Sequence, residues 1–306
     1  MRKTPVKLPG EYYFSRKIIP CAVIPVHGKA SSHQHNYTSI PHWHDFSELV
    51  IITSGSGRQN INGVSYPVSA GDVFVITGKT THFFEEYSNL EIVNILFLDH
   101  VFQGMREYLN RIPGYHLIFR FEPELRASKE FHNTLHLSAN SLSHVTSLIR
   151  KMESEFTAAA PGYEADIVST LFDLVIFLSR SQESRGGDPP VSRLAGLFST
   201  LESSFQEDWP LERMAKFTCM SVNTLLRTFR AATKQTPLNY LTSLRLNAAC
   251  LMLLNTDRPV SEISYLCGFR DSNYFTKRFQ KFYKMTPRAF RRSPASGQNE
   301  CAGNGP

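Results

Sequence analysis

Residues 211–229 read Leu-Glu-Arg-Met-Ala-Lys-Phe-Thr-Cys-Met-Ser-Val-Asn-Thr-Leu-Leu-Arg-Thr-Phe. Residues 260–279 read Val-Ser-Glu-Ile-Ser-Tyr-Leu-Cys-Gly-Phe-Arg-Asp-Ser-Asn-Tyr-Phe-Thr-Lys-Arg-Phe. Each stretch holds a short apolar helix, a tight break, an N-cap residue (Ser221, Asp271) and a second helix with apolar residues four apart (Leu225/Phe229, Phe275/Phe279). That is the pattern of a helix-turn-helix, whose second helix enters the major groove of DNA. Both end alike, in Thr233-Lys-Gln-Thr-Pro237 and Tyr283-Lys-Met-Thr-Pro287. A bundle of short amphipathic helices that binds nothing is the plainer reading. It explains less well why cap, break and terminal Thr-Pro recur together.

Between the copies, Leu241, Leu244, Ala248, Leu251 and Leu254 keep helical spacing after Pro237, which suits a first helical turn. A helix over 237–254 is roughly 27 Å long. Such a strut suits two recognition helices about 34 Å apart, one turn of duplex.

Charge follows the same division. Residues 189–295 carry 16 Lys and Arg against 7 Asp and Glu, whereas 1–188 carry 17 against 19. A basic C-terminal part beside a slightly acidic N-terminal one points to a polyanion partner for the former. On the recognition helices, Asn223, Thr224 and Arg227 face away from the first apolar stripe, and Asp271, Ser272, Asn273 and Lys277 from the second. Arg grips guanine and Asn adenine through paired hydrogen bonds, while Asp accepts from cytosine or only caps its helix. Arg230, Arg245, Arg278, Lys281, Arg288, Arg291 and Arg292 are expected at phosphates or in solvent.

The N-terminal half reads as strands. Phe46–Thr53 is β-rich, Gly55-Ser-Gly57 reads as a turn, and Asn62-Gly63 is a strong hairpin signal. Val64–Val68, Asp72–Ile76, His82–Glu86 and Leu90–Leu98 continue the series of a small barrel or sandwich. Residues 99–138 are mixed. Apolar residues then recur at helical steps through Leu142, Val145, Ile149, Met152 and Phe156, and through Ile167, Leu171, Leu174 and Leu178. These faces pack within the chain or form a dimer seam.

Within the strand-rich half, His42-Trp-His44 precedes Glu48, and His82 and Asn94 follow. His-x-His with a carboxylate four residues on and a distant His is a set that could hold a metal with open positions. The same groups could hydrogen-bond a small polar ligand in a barrel mouth, or be satisfied residues without function. Asn94 is a lone polar residue in an apolar strand and a further pocket donor.

Residues 192–292 resemble the AraC/XylS family of transcription regulators. The carrying strings are Gly268-Phe269-x-Asp-Ser-Asn-Tyr-Phe275, Leu244-Arg-Leu246 and the two Lys-x-Thr-Pro ends. The first of these is most similar to rhamnose-responsive members. The resemblance implies that Asn223 and Arg227 read bases in the first unit, and Asp271, Asn273 and Lys277 in the second. This chain departs where the family has Gly, at Cys219, Lys234 and Lys284, and where it has Ala, at Ser264. The His42, His44, Glu48 set with Gly55 resembles the cupin barrel motif; in the second cupin motif Thr77 and Lys79 replace Pro and Gly, though His82 remains.

These readings give an α+β multidomain protein: a cupin-like N-terminal β-barrel with a helical linker, and an all-α double helix-turn-helix domain. The expected parts are an N-terminal arm (1–20), a cupin-like sensing domain (21–138), a helical dimerisation or packing segment (139–181), a linker (182–191), the DNA-binding domain (192–292) and a disordered tail (293–306). Expected partners are double-stranded promoter DNA, a small-molecule effector of sugar type at His42, His44, Glu48, His82 and Asn94, RNA polymerase, and a second copy of the chain. No cofactor is required; a divalent metal, if held, would take His42, His44, Glu48 and His82. Activation follows from the resemblance alone.

The rival reading is a metal-dependent cupin enzyme with a helical appendage; a third is an architectural DNA-binding protein without effector. The longest apolar runs are too short to span a bilayer, and no apolar core follows Met1-Arg-Lys. With five cysteines, no CxxC spacing and free thiols expected, the chain reads as cytoplasmic.

Overall fold

The computed structural model describes residues 4–14, 19–27, 39–123, 135–183 and 189–292. The expected tail, the centre of the linker (184–188) and Cys301 lie outside the described residues. The chain forms two compact units, Met1–Ser192 and Arg193–Pro306.

The first unit is built on an eight-stranded sheet: β1 (Val6–Leu8), β2 (Cys21–His27), β3 (His42–His44), β4 (Ser47–Ile61), β5 (Val64–Ser69), β6 (Asp72–Ile76), β7 (His82–Phe97) and β8 (Leu135–His136). The long antiparallel pair of β4 and β7 is its spine, with β2 also on β7 and β5 and β6 on β4. The hairpin at Asn62-Gly63 forms as expected: φ is 50° and 84°, and Ile61 pairs with Val64.

Two expected breaks are absent. Gly55-Ser-Gly57 does not reverse the chain but lies inside β4, and His82–Glu86 and Leu90–Leu98 join as one strand. The cause is a run of register shifts between Ile52 and Ser54, Ser54 and Ser56, and Arg58 and Gln59. Gly55, at φ 75°, lies so close to Asn89 that a Cβ would meet its carbonyl oxygen at 2.2 Å. Glycine here serves close approach of two strands in a bulged ribbon.

Residues 4–14 of the expected arm are docked. Strand β1 pairs in parallel with β3, and helix α1 (Gly10–Phe14) sets Phe14 edge-on against Phe46. Asp45 ties the segment down, accepting from the Gly10 amide at 2.6 Å and pairing with Lys7.

Alternation along the strands separates two apolar layers. Val50, Ile52, Phe74, Phe84 and Ile92 fill the barrel side. Leu49, Ile51, Val73, Val75 and Ile95 face helices α2 (Ala139–Ala158) and α3 (Tyr163–Glu183). The helical stripes are consumed there: Val145, Ile149, Met152, Ile167, Leu171, Leu174 and Leu178 are all buried in this core. The mixed segment gives short helical turns between Asp99 and Phe121, then β8.

The second unit holds α4 (Pro189–Ser204) from Arg193 onward, α5 (Leu211–Thr218), α6 (Val222–Thr233), α7 (Pro237–Asn255), α8 (Val260–Leu266), α9 (Ser272–Tyr283) and α10 (Pro287–Arg292). The duplication persists in packing. Phe229 of α6 meets Tyr240, three residues after Pro237, at 5.7 Å; Phe279 of α9 meets Phe290, three residues after Pro287, at 5.4 Å. Helix α7 serves both halves by changing face. Its start buries Tyr240, Leu241 and Leu244, while Leu246, Ala249, Cys250 and Leu253 enter the second core. Leu251, expected in the stripe, is 54% exposed for that reason.

The two breaks differ by one residue. Left-handed Cys219 (φ 54°) stands two residues before cap Ser221, and left-handed Gly268 (φ 83°) three before cap Asp271. Cys21, Cys219 and Cys267 are free thiols as expected, but Cys250 is disulfide-bonded, a pairing that spacing along the chain does not reveal. No helix among the described residues is long and apolar enough to cross a membrane.

Candidate effector pocket and DNA-reading helices

The barrel side holds a small open cavity, with about 40 Å³ of space available to the centre of a water molecule. His42 and His44 come from β3, Glu48 from the start of β4, His82 from the start of β7 and Asn94 from its far half, and all five line this cavity. The predicted set is thus brought together. The docked N-terminal segment adds Leu8 and Tyr13.

The histidines share one arrangement. Nδ1 of His42 lies 2.8 Å from the Ile40 carbonyl, Nδ1 of His44 2.7 Å from that of Phe46, and Nδ1 of His82 3.0 Å from that of Thr80. A carbonyl only accepts, so each Nδ1 carries the hydrogen and a neutral ring presents a lone pair at Nε2. Two of these lone pairs converge on one carboxylate oxygen: Glu48 Oε2 is 3.2 Å from His44 Nε2 and 3.1 Å from His82 Nε2. Burial opposes ionisation of Glu48; where Nε2 of His44 and His82 carries a proton, hydrogen bonding and charge from the rings outweigh burial and hold the carboxyl below its ordinary range. Burial, then the neighbouring His82, pushes His42 down to about 4, so that ring stays neutral.

Acceptors facing acceptors require hydrogen on the rings or a cation between them. The donor set fits a divalent ion: ligand atoms of His44, Glu48 and His82 lie within 4.8 Å of one another. Adjacent ligands on a metal bound at 2.0–2.2 Å stand roughly 3.0–3.5 Å apart. Backbone carbonyls at Nδ1 are the usual outer partners of ligating histidines. His42 stands outside this trio, its ring centroid 4.2 Å from that of His82.

One pocket residue escapes the sequence. Gln59 is fully buried on β4 and lines the same cavity. Strand parity assigns an odd position the face opposite Glu48 and Val50. The register shifts before Gln59 turn it inward.

In the second unit, Asn223 and Arg227 are exposed on α6, and Asn273 and Lys277 on α9; Thr224 and Ser272 are half-buried at the helix starts. Ser221 Oγ accepts from the Thr224 amide at 3.1 Å. Asp271 accepts from the amides of Asn273 and Tyr274 at 2.6 and 3.0 Å, so it caps α9. Tyr274, 52% exposed beside Asn273, is a second residue the sequence reading left without a role.

Two arginines expected at phosphates or in solvent are engaged within the protein. Arg245 donates from Nε to the Phe205 carbonyl at 2.8 Å and from its other nitrogen to that of Glu207 at 2.6 Å. Arg291 donates to the Arg258 carbonyl at 2.6 Å. Each pins a loop between helices.

Residues 214–293 match the model of a helix-turn-helix domain, and residues 28–109 that of an AraC-like ligand binding domain. The HTH-type transcriptional activator RhaS of Enterobacter sp. (strain 638) is 31% identical over 252 residues, covering 82% of this chain and 86% of its own length. The HTH-type transcriptional activator RhaR of Mannheimia succiniciproducens is 28% identical with the same coverage. The DNA-binding domain of AdpA, solved in complex with a target DNA, is 26% identical over 37% of this chain and 98% of its own, with a TM-score of 0.33. Regulators, not enzymes, are the kin of this protein: the chain belongs to the AraC family of ligand-controlled, DNA-binding transcription regulators.

Proposed function

We propose that the chain is a transcription activator whose effector is a sugar held in the barrel cavity by His42, His44, Glu48, His82 and Asn94. The observation that carries this reading is the cavity itself, in which these five side chains and Gln59, from three strands, converge among mainly apolar neighbours. Sugars need such fixed donors and acceptors. The related RhaS and RhaR bear the name of activators.

Asn223, Thr224 and Arg227 read one major-groove element, and Ser272, Asn273 and Lys277 the next, with Asp271 holding the start of α9. The regulator acts as a homodimer beside RNA polymerase, in the cytoplasm. The stripes of α2 and α3 are spent inside the chain, so a dimer contact uses their outer faces.

Effector bias works through the segment that carries β1. It pairs with the strand bearing His42 and His44, so a ligand touching those residues favours one arrangement of the segment over another. Only this difference in affinity shifts the population.

A second reading concerns the same trio. The converging Nε2 lone pairs favour a divalent cation on His44, Glu48 and His82, which would supply a Lewis-acidic anchor for sugar hydroxyls.

Selection of random duplex DNA by the full chain, with and without monosaccharides, tests the function. The expected result is a motif with two elements about one helical turn apart, sharpened by one sugar. Binding that only tracks salt, with no enriched sequence, would overturn it.

A further inference from the structure

Gln59 is buried in the cavity at a cost. It is fully buried, and neither its Nε2 nor its Oε1 has a hydrogen-bond partner. Asn94 Oδ1 is buried and unpaired in the same pocket. Carboxamides left in this state forfeit the hydrogen bonds they make in water. A partner that enters from solvent restores them.

Their register places them beside the His/Glu cluster. Val50 pairs with Asn94 and Glu48 with Leu96, so Asn94 is the diagonal neighbour of Glu48 across β4 and β7. Gln59 pairs with Phe84 and Ile61 with His82, so Gln59 is the diagonal neighbour of His82. Diagonal neighbours are about 7–8 Å apart, near enough for one small molecule to touch both. Among the described residues that line the cavity there is no Lys or Arg, and Glu48 brings negative charge.

We propose that Gln59 and Asn94 are the specificity-determining residues of the effector site, and that they select a neutral polyhydroxylated ligand over a sugar acid or sugar phosphate. A carboxamide offers a donor and an acceptor side by side, which matches two neighbouring hydroxyls. An anion in this cavity would meet a carboxylate and, among the described lining residues, find no Lys or Arg to pair with. This inference rests on the sugar reading and narrows it.

The test uses the full-length protein, Gln59→Met and Asn94→Leu, which keep side-chain size and remove the amides. Each is titrated calorimetrically with neutral aldohexoses, 6-deoxyhexoses and pentoses, with uronic acids, and with hexose 6-phosphates. Thermal unfolding of the ligand-free proteins is recorded in parallel. The expected result is that the wild type binds a neutral sugar and each variant binds it about tenfold or more weakly, the loss of roughly one hydrogen bond in an apolar site. Without ligand, Gln59→Met should unfold at the same temperature as wild type or about 2 °C higher. Equal sugar affinity in variant and wild type would overturn the inference and leave the sugar reading intact. A preference for acids or phosphates would overturn the neutral class. A blank response to every sugar would remove the sugar reading, and the carboxamides with it. A clear fall in the ligand-free unfolding temperature of Gln59→Met would show the amide already satisfied within the protein, and overturns its role whatever the titrations give.

Discussion

Glu48 Oε2 stands 3.1 Å from Nε2 of His82, although the Nδ1 of that histidine is already committed to the Thr80 carbonyl. A carboxylate and a ring lone pair at this distance repel unless a proton or a cation lies between them. Glu48→Gln replaces the acceptor by an amide that can donate to the ring. The variant should keep the stability of the barrel and lose at least about tenfold in affinity for Zn²⁺, since a neutral amide is a poor metal ligand. Calorimetric titration of chelator-stripped protein checks this. Equal Zn²⁺ affinity in variant and wild type would mean that protons alone hold the cluster together.

Arg227 is exposed on α6, one turn after Asn223. Arg227→Ala should cost about 1–3 kcal/mol at the selected DNA site and relax sequence preference at one position. Competition binding on selected and random duplexes separates the cases. An equal loss on both would make Arg227 a phosphate contact.

Both recognition helices were legible in the sequence because caps, apolar spacing and terminal Thr-Pro act locally. Ser221, Asp271 and Thr236 each accept a backbone amide at a helix start, as their residue types suggest. Arg245 was not legible: its carbonyl partners lie at residues 205 and 207, and basicity alone does not say where a side chain ends. The barrel divides the same way. His42, His44, Glu48, His82 and Asn94 fall in one pocket because short motifs and parity reach that far. Gln59 was hidden, since each bulge exchanges inside for outside and bulges leave little trace in composition. The docking of Val6–Leu8 on His42–His44 is a pairing between distant segments that no local pattern encodes.

Lys234 and Lys284 end their recognition helices at φ 60°, and Cys219 sits at φ 54°. A side chain in this region costs roughly 1 kcal/mol against glycine. Lys284→Gly should therefore stabilise the second unit by up to about 1 kcal/mol in chemical denaturation, though it removes a charge. Gly268→Ala should do the reverse. At φ 83° its new Cβ would meet the Gln206 carbonyl oxygen at 2.6 Å and Arg245 Nε at 2.9 Å. A loss of about 2 kcal/mol or more is expected, and an unchanged denaturation midpoint would show that the loop yields freely.

His116 links the first unit to pH. It is fully buried beside the short turn Pro113–His116, its Nε2 donating to the Asn110 carbonyl at 2.7 Å. Burial, then the charge of Arg120, pushes its pKa down to about 3 from 6.5. Between these values the unfolded chain takes up a proton that the folded chain refuses. The stability gained by burying the neutral ring is thus complete above about pH 6.5 and lost as pH falls toward 3. From pH 6.5 to 5 the loss from this group is about 2 kcal/mol. His116→Phe should lower stability at pH 7.5, where the hydrogen bond to Asn110 is missed, and flatten the decline on acidification. Denaturation of both proteins across pH 5–7.5 measures the difference in slope. Parallel curves would place the acid sensitivity of the fold elsewhere than at His116.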